Sequence, residues 1–250
     1  MYKILAKTLI LGKKVVYLPS CHSTNDSARS LTKSGVFIEG TIVITNNQTA
    51  GRGQMDSSWE SDADANLTFS LILKPTFINV NSQFQLAMAM SLGIVEFLDE
   101  FDPGFYVKWP NDIYYNKKKI AGILIQNSLS GISLDSSIVG IGLNINQTVF
   151  ETPNATSLRL ICNHKYELSA VLEDLCFAIE NRYLQLKRGG AVSLKNDYLQ
   201  RLLGYGNQCM FDDGERFQGE VVDVLDNGRI AINRSDGVRH YDLKQIKFIF

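Results

Sequence analysis

The chain has 250 residues, 45% hydrophobic and 20% charged, which suits a globular protein of one large domain or a domain plus a small appendage. Its 25 basic and 26 acidic side chains give a formal net charge of −1. That excludes the broad basic face of a sequence-independent nucleic-acid binder but leaves room for a local anion site.

Cys21, Cys162, Cys176 and Cys209 are scattered and form no CxxC pair, so neither a zinc site nor a disulfide framework is expected, and reduced thiols in a cytoplasmic protein are. In "MYKILAKTLILGKK" Lys7 breaks the apolar run and no small-residue cleavage site follows, so it is not read as a signal peptide. No apolar stretch is long enough for a membrane span.

In chain order, "VVYLP" (Val15 to Pro19) predicts a strand stopped by proline. "STNDSARSLTKSG" predicts a helix with Ser23, Thr24 or Asn25 as N-cap and Gly35 as its stop. "TIVIT" (Thr41 to Thr45) predicts a strand, followed by the polar loop "TAGRGQMDSSWES" (Thr49 to Ser61). "NLTFSLIL" (Asn66 to Leu73) alternates Leu67, Phe69, Leu71 and Leu73 on one face, which predicts a half-buried strand. Phe84, Leu86, Ala87, Met90, Ile94, Phe97 and Leu98 follow at helical spacing within Ser82 to Phe101.

Strands at hairpin spacing come next: Phe105 to Trp109, Ile113 to Asn116, Ile120 to Gln126 and Ser137 to Asn146, so the sheet should be antiparallel or mixed. Helices are predicted over Glu167 to Lys187 and Ala191 to Leu203. From Gly204 the texture changes to short β runs split by "DDG", "DNG" and "SDG", which are hairpin signals. The expectation is α+β, with residues 1–203 as the main domain and 204–250 as a small β barrel-like domain docked on it.

Four stretches carry candidate chemistry. Arg52 sits between Gly51 and Gly53 and offers a planar fork to carboxylate or phosphate, and Trp59 offers an aromatic face. On these residues alone, a ligand lid and a solvated loop are equally good readings. In "KWPNDIYYNKKKIAG", Lys108, Asn111 and Asp112 cluster at a turn that can bind phosphate, ribose or Mg²⁺, though Asn-Asp after proline is good turn chemistry by itself. Lys119 adjoins the apolar "IAGIL", and a charged strand edge is the commoner reading of such a lysine. Gly140 and Gly142 should share one strand face and admit close approach of a ligand or backbone. In "SCHSTND", N-capping is favoured over any Ser-His-Asp device.

Taken in order, "STN" (Ser23 to Asn25), "QTAGRGQMDSSW" (Gln48 to Trp59), "KWPND" (Lys108 to Asp112), "KIAGIL" (Lys119 to Leu124), "GIGLN" (Gly140 to Asn144) and "PNATSL" (Pro153 to Leu158) resemble the biotin–protein ligases over nearly the whole chain. The resemblance implies a catalytic domain like that of class II aminoacyl-tRNA synthetases, a mixed sheet with helices, and an SH3-like C-terminal domain. It implies biotin and ATP as substrates, with Mg²⁺. Biotin is activated as biotinyl-5′-AMP and moved to a lysine of a biotin carboxyl carrier protein. Relatives that also repress transcription carry an added N-terminal DNA-binding domain. With the first strand near Val15, the expectation is the enzyme alone, acting on no nucleic acid and no membrane. Homodimers are common in the family, but no interface is legible here.

By the same resemblance, Ser23, Thr24, Asn25, Gln48 and Gly51 line the biotin site, with Gly122 near the ring system. Arg52 and Lys119 hold the biotin carboxylate and the α-phosphate. Trp59 covers adenine, with Gln54, Asn111 and Asn144 on the ATP side. Asp112 takes the proton of the incoming lysine, and the ligands of Mg²⁺ are not identified. Many relatives carry further arginines in the loop where this chain has Gln54, Met55, Asp56 and Ser57, so one phosphate contact is missing or supplied from elsewhere. The rivals are a lipoate or octanoate ligase of related fold and a non-catalytic protein that holds biotinyl-AMP.

Overall fold

The computed structural model describes residues 2–54 and 57–249. Its centre is a seven-stranded sheet of β1 (Val15–Leu18), β2 (Thr41–Thr45), β3 (Leu67–Leu73), β4 (Phe105–Lys108), β5 (Asp112–Tyr115), β6 (Lys118–Ser130) and β7 (Ser133–Leu143). The strand order is β1-β2-β3-β7-β6-β5-β4. Only β1 and β2 pair in parallel, so the sheet is mixed, as expected.

Helices cover the two faces unequally. α2 (Phe84–Asp99), α4 (Leu168–Lys187) and α5 (Ala191–Gln200) pack together on one face, where the large apolar core lies. α1 (Thr24–Ser34) packs alone on the other, against β2, β3 and β7. Its contact is a small cluster of Ala28, Val43, Ile72 and Ile138. Because α1 covers that face, β3 is buried on both sides, not half-buried as its alternation predicts. Thr68, Ser70 and Ile72 turn toward α1 and the site, while Leu67, Phe69, Leu71 and Leu73 turn into the large core.

Two other expectations are corrected. β6 and β7 run far past Gln126 and back from Ser133, forming one long hairpin that turns at Gly131 (φ 58°). Its outer part, "NSLSGISLDS", is polar enough to read as a loop, yet it keeps ladder pairing, bonds to Ile78 and Val80, and buries Leu134 in the core. A short α3 (Leu158–Cys162) was not foreseen; Ser157 caps it by accepting from Leu160 N–H.

The C-terminal strands β8 (Gln208–Asp212), β9 (Arg216–Val224), β10 (Ile230–Arg234), β11 (Gly237–Tyr241) and β12 (Lys247–Ile249) form a separate antiparallel sheet in the order β11-β10-β9-β8-β12. The "DDG", "DNG" and "SDG" turns carry Gly214, Gly228 and Gly237 at positive φ, as hairpin turns require. This sheet docks on α2, α5 and the turn after β4. Trp109 Nε1 donates to Gly228 O at 2.9 Å, Phe84 N donates to Asp226 O at 3.3 Å, and Lys195 pairs with Asp223 at 2.8 Å. Among the described residues, no helix is long and apolar enough to cross a membrane.

The N-terminal segment is held by carboxylates of α4. The Glu180 side chain, 2% exposed, accepts from the backbone N–H groups of Leu9, Ile10 and Leu11, and Glu173 accepts from Ala6 and Lys7. Replacing Glu180 with Ala strands three donors and is expected to cost about 2 kcal/mol or more, lowering Tm by about 4–8 °C in a chain of this size. A thermal scan of Glu180→Ala with an unchanged midpoint would contradict this anchoring role.

Candidate active site

α1 stops short of covering its face of the sheet, and the rows of residues beyond it are nearly bare. Strand register sets Ser70, Gly140 and Leu124 side by side, and then Thr68, Gly142, Gly122 and Asp112. A Cβ at Gly140 would overlap the Asn25 amide, and one at Gly142 would overlap the Trp59 indole. The close approach expected at "GIG" is therefore made by two side chains of this chain, Asn25 and Trp59.

One end of this floor is a polar network. Ser23 occupies the N-cap position of α1, but its side chain makes no capping bond. Gln48 does that work: its Oε1 accepts from Thr24 N–H at 2.9 Å. This corrects the expectation that a hydroxyl or amide of the "STN" triplet caps the helix. Ser70 donates to Asn25 Oδ1 at 2.6 Å and shares a 2.8 Å bond with the Thr24 hydroxyl. Asn25 Nδ2 faces Leu124 O at 3.4 Å. Ser23, Thr24, Asn25 and Ser70 are all buried. Sequence reading missed Ser70, although two hydroxyls on one face of "LTFSLIL", Thr68 and Ser70, were a signal.

The loop after β2 folds back on itself. Trp59 N donates to Gly51 O at 3.0 Å, Gly53 N donates to Ser57 O at 2.7 Å, and Arg52 bridges Ser58. A side chain at Gly51 would meet the Trp59 carbonyl and the Gln48 amide, so the pairing requires glycine there. Met55 and Asp56 lie outside the described residues, and Gln54 lines the cleft. Trp59 lies against Gly142 with its Nε1 buried and unpartnered.

Glu60, to which sequence reading gave no role, latches the loop. Its carboxylate accepts from Glu151 N at 2.9 Å, Thr152 N at 3.0 Å, the Thr152 hydroxyl at 2.8 Å and Gln147 Nε2 at 3.4 Å. These bonds, led by the Glu151 N–H, hold its carboxyl below the usual glutamate range. The strap it grips continues to Lys119, whose N–H donates to Asn154 O at 2.7 Å.

Arg52 and Lys119, two of the three cations singled out from the sequence, each have an acidic partner. Arg52 Nη2 lies 3.1 Å from Asp26 Oδ2, and Lys119 Nζ lies 2.6 Å from Asp112 Oδ1 and 5.6 Å from the centre of a Trp59 ring. Lys108 stands over the Tyr114 ring at 4.9 Å. Burial pulls its pKa below the usual lysine value, the nearby Lys119 charge adds to this, and Asp112 opposes it. Asn111 donates to Ile123 O at 2.6 Å.

One cleft of about 780 Å³, within the size range of ligand sites, brings together Ser23, Thr24, Asn25, Gln48, Arg52, Gln54, Trp59, Asn111, Asp112, Lys119 and Gly122. Two candidates are not in its wall. Gly51 lies behind it in the loop pairing. Asn144 is buried, donates to Thr156 O at 3.0 Å and leaves its Oδ1 unpartnered. Residues of the C-terminal segment, Leu243 to Phe248, also line the cleft. Among the described residues, the wall carries five cations (Arg52, Lys108, Lys119, Lys244, Lys247) and one carboxylate, Asp112. Among the described residues, no group of three or more His, Cys, Asp or Glu could hold a metal ion. The arrangement therefore suits an extended ligand with a hydrogen-bonding head and several negative charges.

Comparison with known proteins agrees with this geometry. The biotin/lipoate A/B protein ligase family model matches residues 17–144. The bifunctional ligase/repressor BirA of Bacillus subtilis is 30% identical over 241 residues, covering 93% of this chain and 73% of that protein. The biotin–[acetyl-CoA-carboxylase] ligase of Mycobacterium tuberculosis is 28% identical over 221 residues, covering 84% of this chain and 80% of that one. The biotin protein ligase of Aquifex aeolicus, solved in complex with biotin and ATP, superposes with a TM-score of 0.78 at 26% identity, covering 95% of this chain and 99% of that one.

The Glu60 latch makes a prediction with a definite sign. A carboxyl whose folded pKa is lowered anchors fully above the ordinary glutamate value, about pH 4.3, and lets go as pH falls through its lowered value. Glu60→Ala should therefore speed amide hydrogen exchange at neutral pH in peptides spanning 49–61 and 147–156, leaving the core helices protected. Equal exchange in variant and parent would remove Glu60 from this role.

Proposed function

The chain belongs to the biotin/lipoate A/B protein ligase family, and from that membership and the cleft we infer that it is an ATP-dependent biotin–protein ligase, forming biotinyl-5′-AMP and passing biotin to a lysine of a carrier protein. The observation that carries the reading is the polarity of the floor. Thr24, Asn25, Gln48 and Ser70 offer donors and acceptors at one end, and Arg52 and Lys119 offer positive charge along the cleft. Biotin has a ureido head that needs such partners and a carboxylate tail. The tail of lipoate or octanoate away from the carboxylate is apolar and would leave the buried polar groups unpaired.

Adenylation joins two anions. The biotin carboxylate attacks the α-phosphorus of ATP, an oxygen–phosphorus bond forms, and pyrophosphate leaves. Fixed cations offset the repulsion and placement supplies most of the rate. In our reading, Arg52 exchanges Asp26 for the carboxylate and α-phosphate oxygens, and its planar fork can reach both partners. Lys119 exchanges Asp112 for a phosphate oxygen that gains charge in the transition state. That exchange frees Asp112 to take the proton of the incoming amine, which attacks the mixed-anhydride carbonyl and expels AMP. Trp59 packs the adenine and keeps water from the anhydride. Were Mg²⁺ bound with the triphosphate, Asp112, the one carboxylate among the described lining residues, would be the side chain placed to hold it, and the ion would draw charge from the leaving pyrophosphate. The carrier is a biotin carboxyl carrier protein in this reading.

Offering biotin, lipoate and octanoate with MgATP and a carrier domain should give one added biotin by mass spectrometry and no lipoyl or octanoyl product. A lipoylated or octanoylated carrier would favour the rival ligase instead. Lys119→Ala should slow biotin-dependent pyrophosphate–ATP exchange by about 10²–10³-fold, the usual effect of removing one preorganised charge-stabilising donor. Exchange at the parent rate would end the assignment of Lys119.

A further inference from the structure

We propose that Ser70 is a positioning residue that fixes the Thr24 hydroxyl as a hydrogen-bond acceptor toward the cleft, so that the polar end selects a ligand ring carrying N–H. This rests on the reading of the cleft as a biotin site. It adds the sense of each hydrogen bond there and the side chains that set it.

The sense follows from what each atom is able to do. A backbone carbonyl only accepts, so the Asn25 atom that faces Leu124 O at 3.4 Å is the amide nitrogen. The Gln126 side chain brings a second acceptor to the same nitrogen, Oε1 at 3.5 Å. The Asn25 oxygen therefore faces Ser70, and at 2.6 Å it takes the one proton that the Ser70 hydroxyl owns. Against the Thr24 hydroxyl, 2.8 Å away, Ser70 is then left only to accept, so the Thr24 proton points at Ser70. The opposite sense would press lone pairs of Ser70 and Asn25 together at 2.6 Å with no proton between them. Gln48 Oε1 does not draw the Thr24 proton away. It is 3.4 Å from that hydroxyl and already accepts from Thr24 N–H at 2.9 Å. Thr24 Oγ thus turns only lone pairs to the cleft.

The relay is built into the fold. Ser70, Thr24 and Asn25 are all buried, and strand register sets Ser70, Gly140 and Leu124 side by side beneath α1. Asn25 reaches its place only because Gly140 has no Cβ to overlap its amide oxygen. The Ser23 hydroxyl lines the same end and makes no hydrogen bond among the described residues, so its proton is available to a ligand. An acceptor beside a donor matches an N–H next to a C=O, the pattern of a cyclic urea. A ring with oxygen in place of N–H would set lone pairs against the lone pairs of Thr24, and a buried site rejects such a mismatch strongly.

The test is calorimetry on the full-length chain with two ligands. One is biotin, and the other is the analogue in which both ureido nitrogens are replaced by oxygen, a cyclic carbonate of the same shape. The parent should bind the carbonate at least about 10²-fold more weakly than biotin. In Ser70→Ala the Thr24 hydroxyl is free to turn and donate, so that ratio should fall at least about tenfold. With Thr24→Val already in place, Ser70→Ala should leave the ratio unchanged, because its effect runs through the Thr24 hydroxyl, an outcome that a purely structural role would not give. The loss in Ser70→Ala should appear in KM for biotin and not in KM for MgATP. Ser70→Cys, a weaker donor of similar size, reads the same ratio if the alanine variant does not fold. A parent-like ratio in Ser70→Ala would overturn the assignment while continued biotin turnover left the ligase reading standing. So would a fall in the ratio as large with Thr24→Val as without it. A parent chain that binds neither compound would defeat the ligase reading and this assignment together.

Discussion

Two ion pairs, Lys119 with Asp112 and Arg52 with Asp26, govern what the cleft can do. Among the described residues, five cations converge on a wall with one carboxylate, and without acidic partners they would repel one another across a partly dry space. The pairs hold the reacting cations in place while the cleft is empty. They are also weak enough to exchange. The Arg52 and Asp26 side chains are 58% and 35% exposed, and such pairs are worth about 1 kcal/mol or less. A carboxylate or phosphate that can be gripped by the same guanidinium in a closed site outcompetes that partner. The Lys119–Asp112 pair is less exposed and sits at the junction of β5 and β6, and in the proposed mechanism its exchange frees the Asp112 carboxylate to act as base in the second half-reaction.

The fold supplies this arrangement through register. Asp112 lies opposite Gly122, Gly122 opposite Gly142, and Gly142 opposite Thr68, so one straight row across four strands runs from the Asp112 carboxylate to the polar network. Two glycines in that row keep the floor low enough for an aromatic lid to rest on it. α1 covers only part of the face, and its N-terminal turn, tied to Gln48 and Ser70, ends where the floor begins. The loop is anchored at both ends of its useful part: Gly51 pairs with Trp59, and Glu60 grips residues 151–152. The strap beyond that grip supports the Lys119 backbone, so lid and cation share one scaffold.

Much of this was legible in the sequence because it is written in local chemistry. Asp-Gly and Asn-Gly turns announce the C-terminal hairpins, and helical spacing announces α2 and α4. The "STN", "AGRG", "KWPND" and "KIAG" stretches point to residues that do meet in one cleft. What stayed hidden depends on long-range packing. Ser70 is one of two hydroxyls in a mostly apolar strand, and only the position of α1 makes it part of a network. Glu60 and Glu180 look like surface acids until the backbone donors they serve are brought from 91 to 171 residues away. Asn144 belongs to a motif that resembles a nucleotide contact, yet it is turned inward to hold Thr156. Lys244 and Lys247 carry no motif, and domain docking alone brings them to the cleft. The β6–β7 hairpin was underestimated because its outer strands are polar, and polarity reads as loop when pairing is invisible.

The most direct test of the account is a crystal structure of the chain with a hydrolysis-resistant analogue of biotinyl-5′-AMP. The account predicts that Arg52 has left Asp26 and Lys119 has left Asp112, each now within hydrogen-bond distance of the analogue's carbonyl or phosphate oxygens. Both original ion pairs intact beside a fully occupied ligand would contradict it.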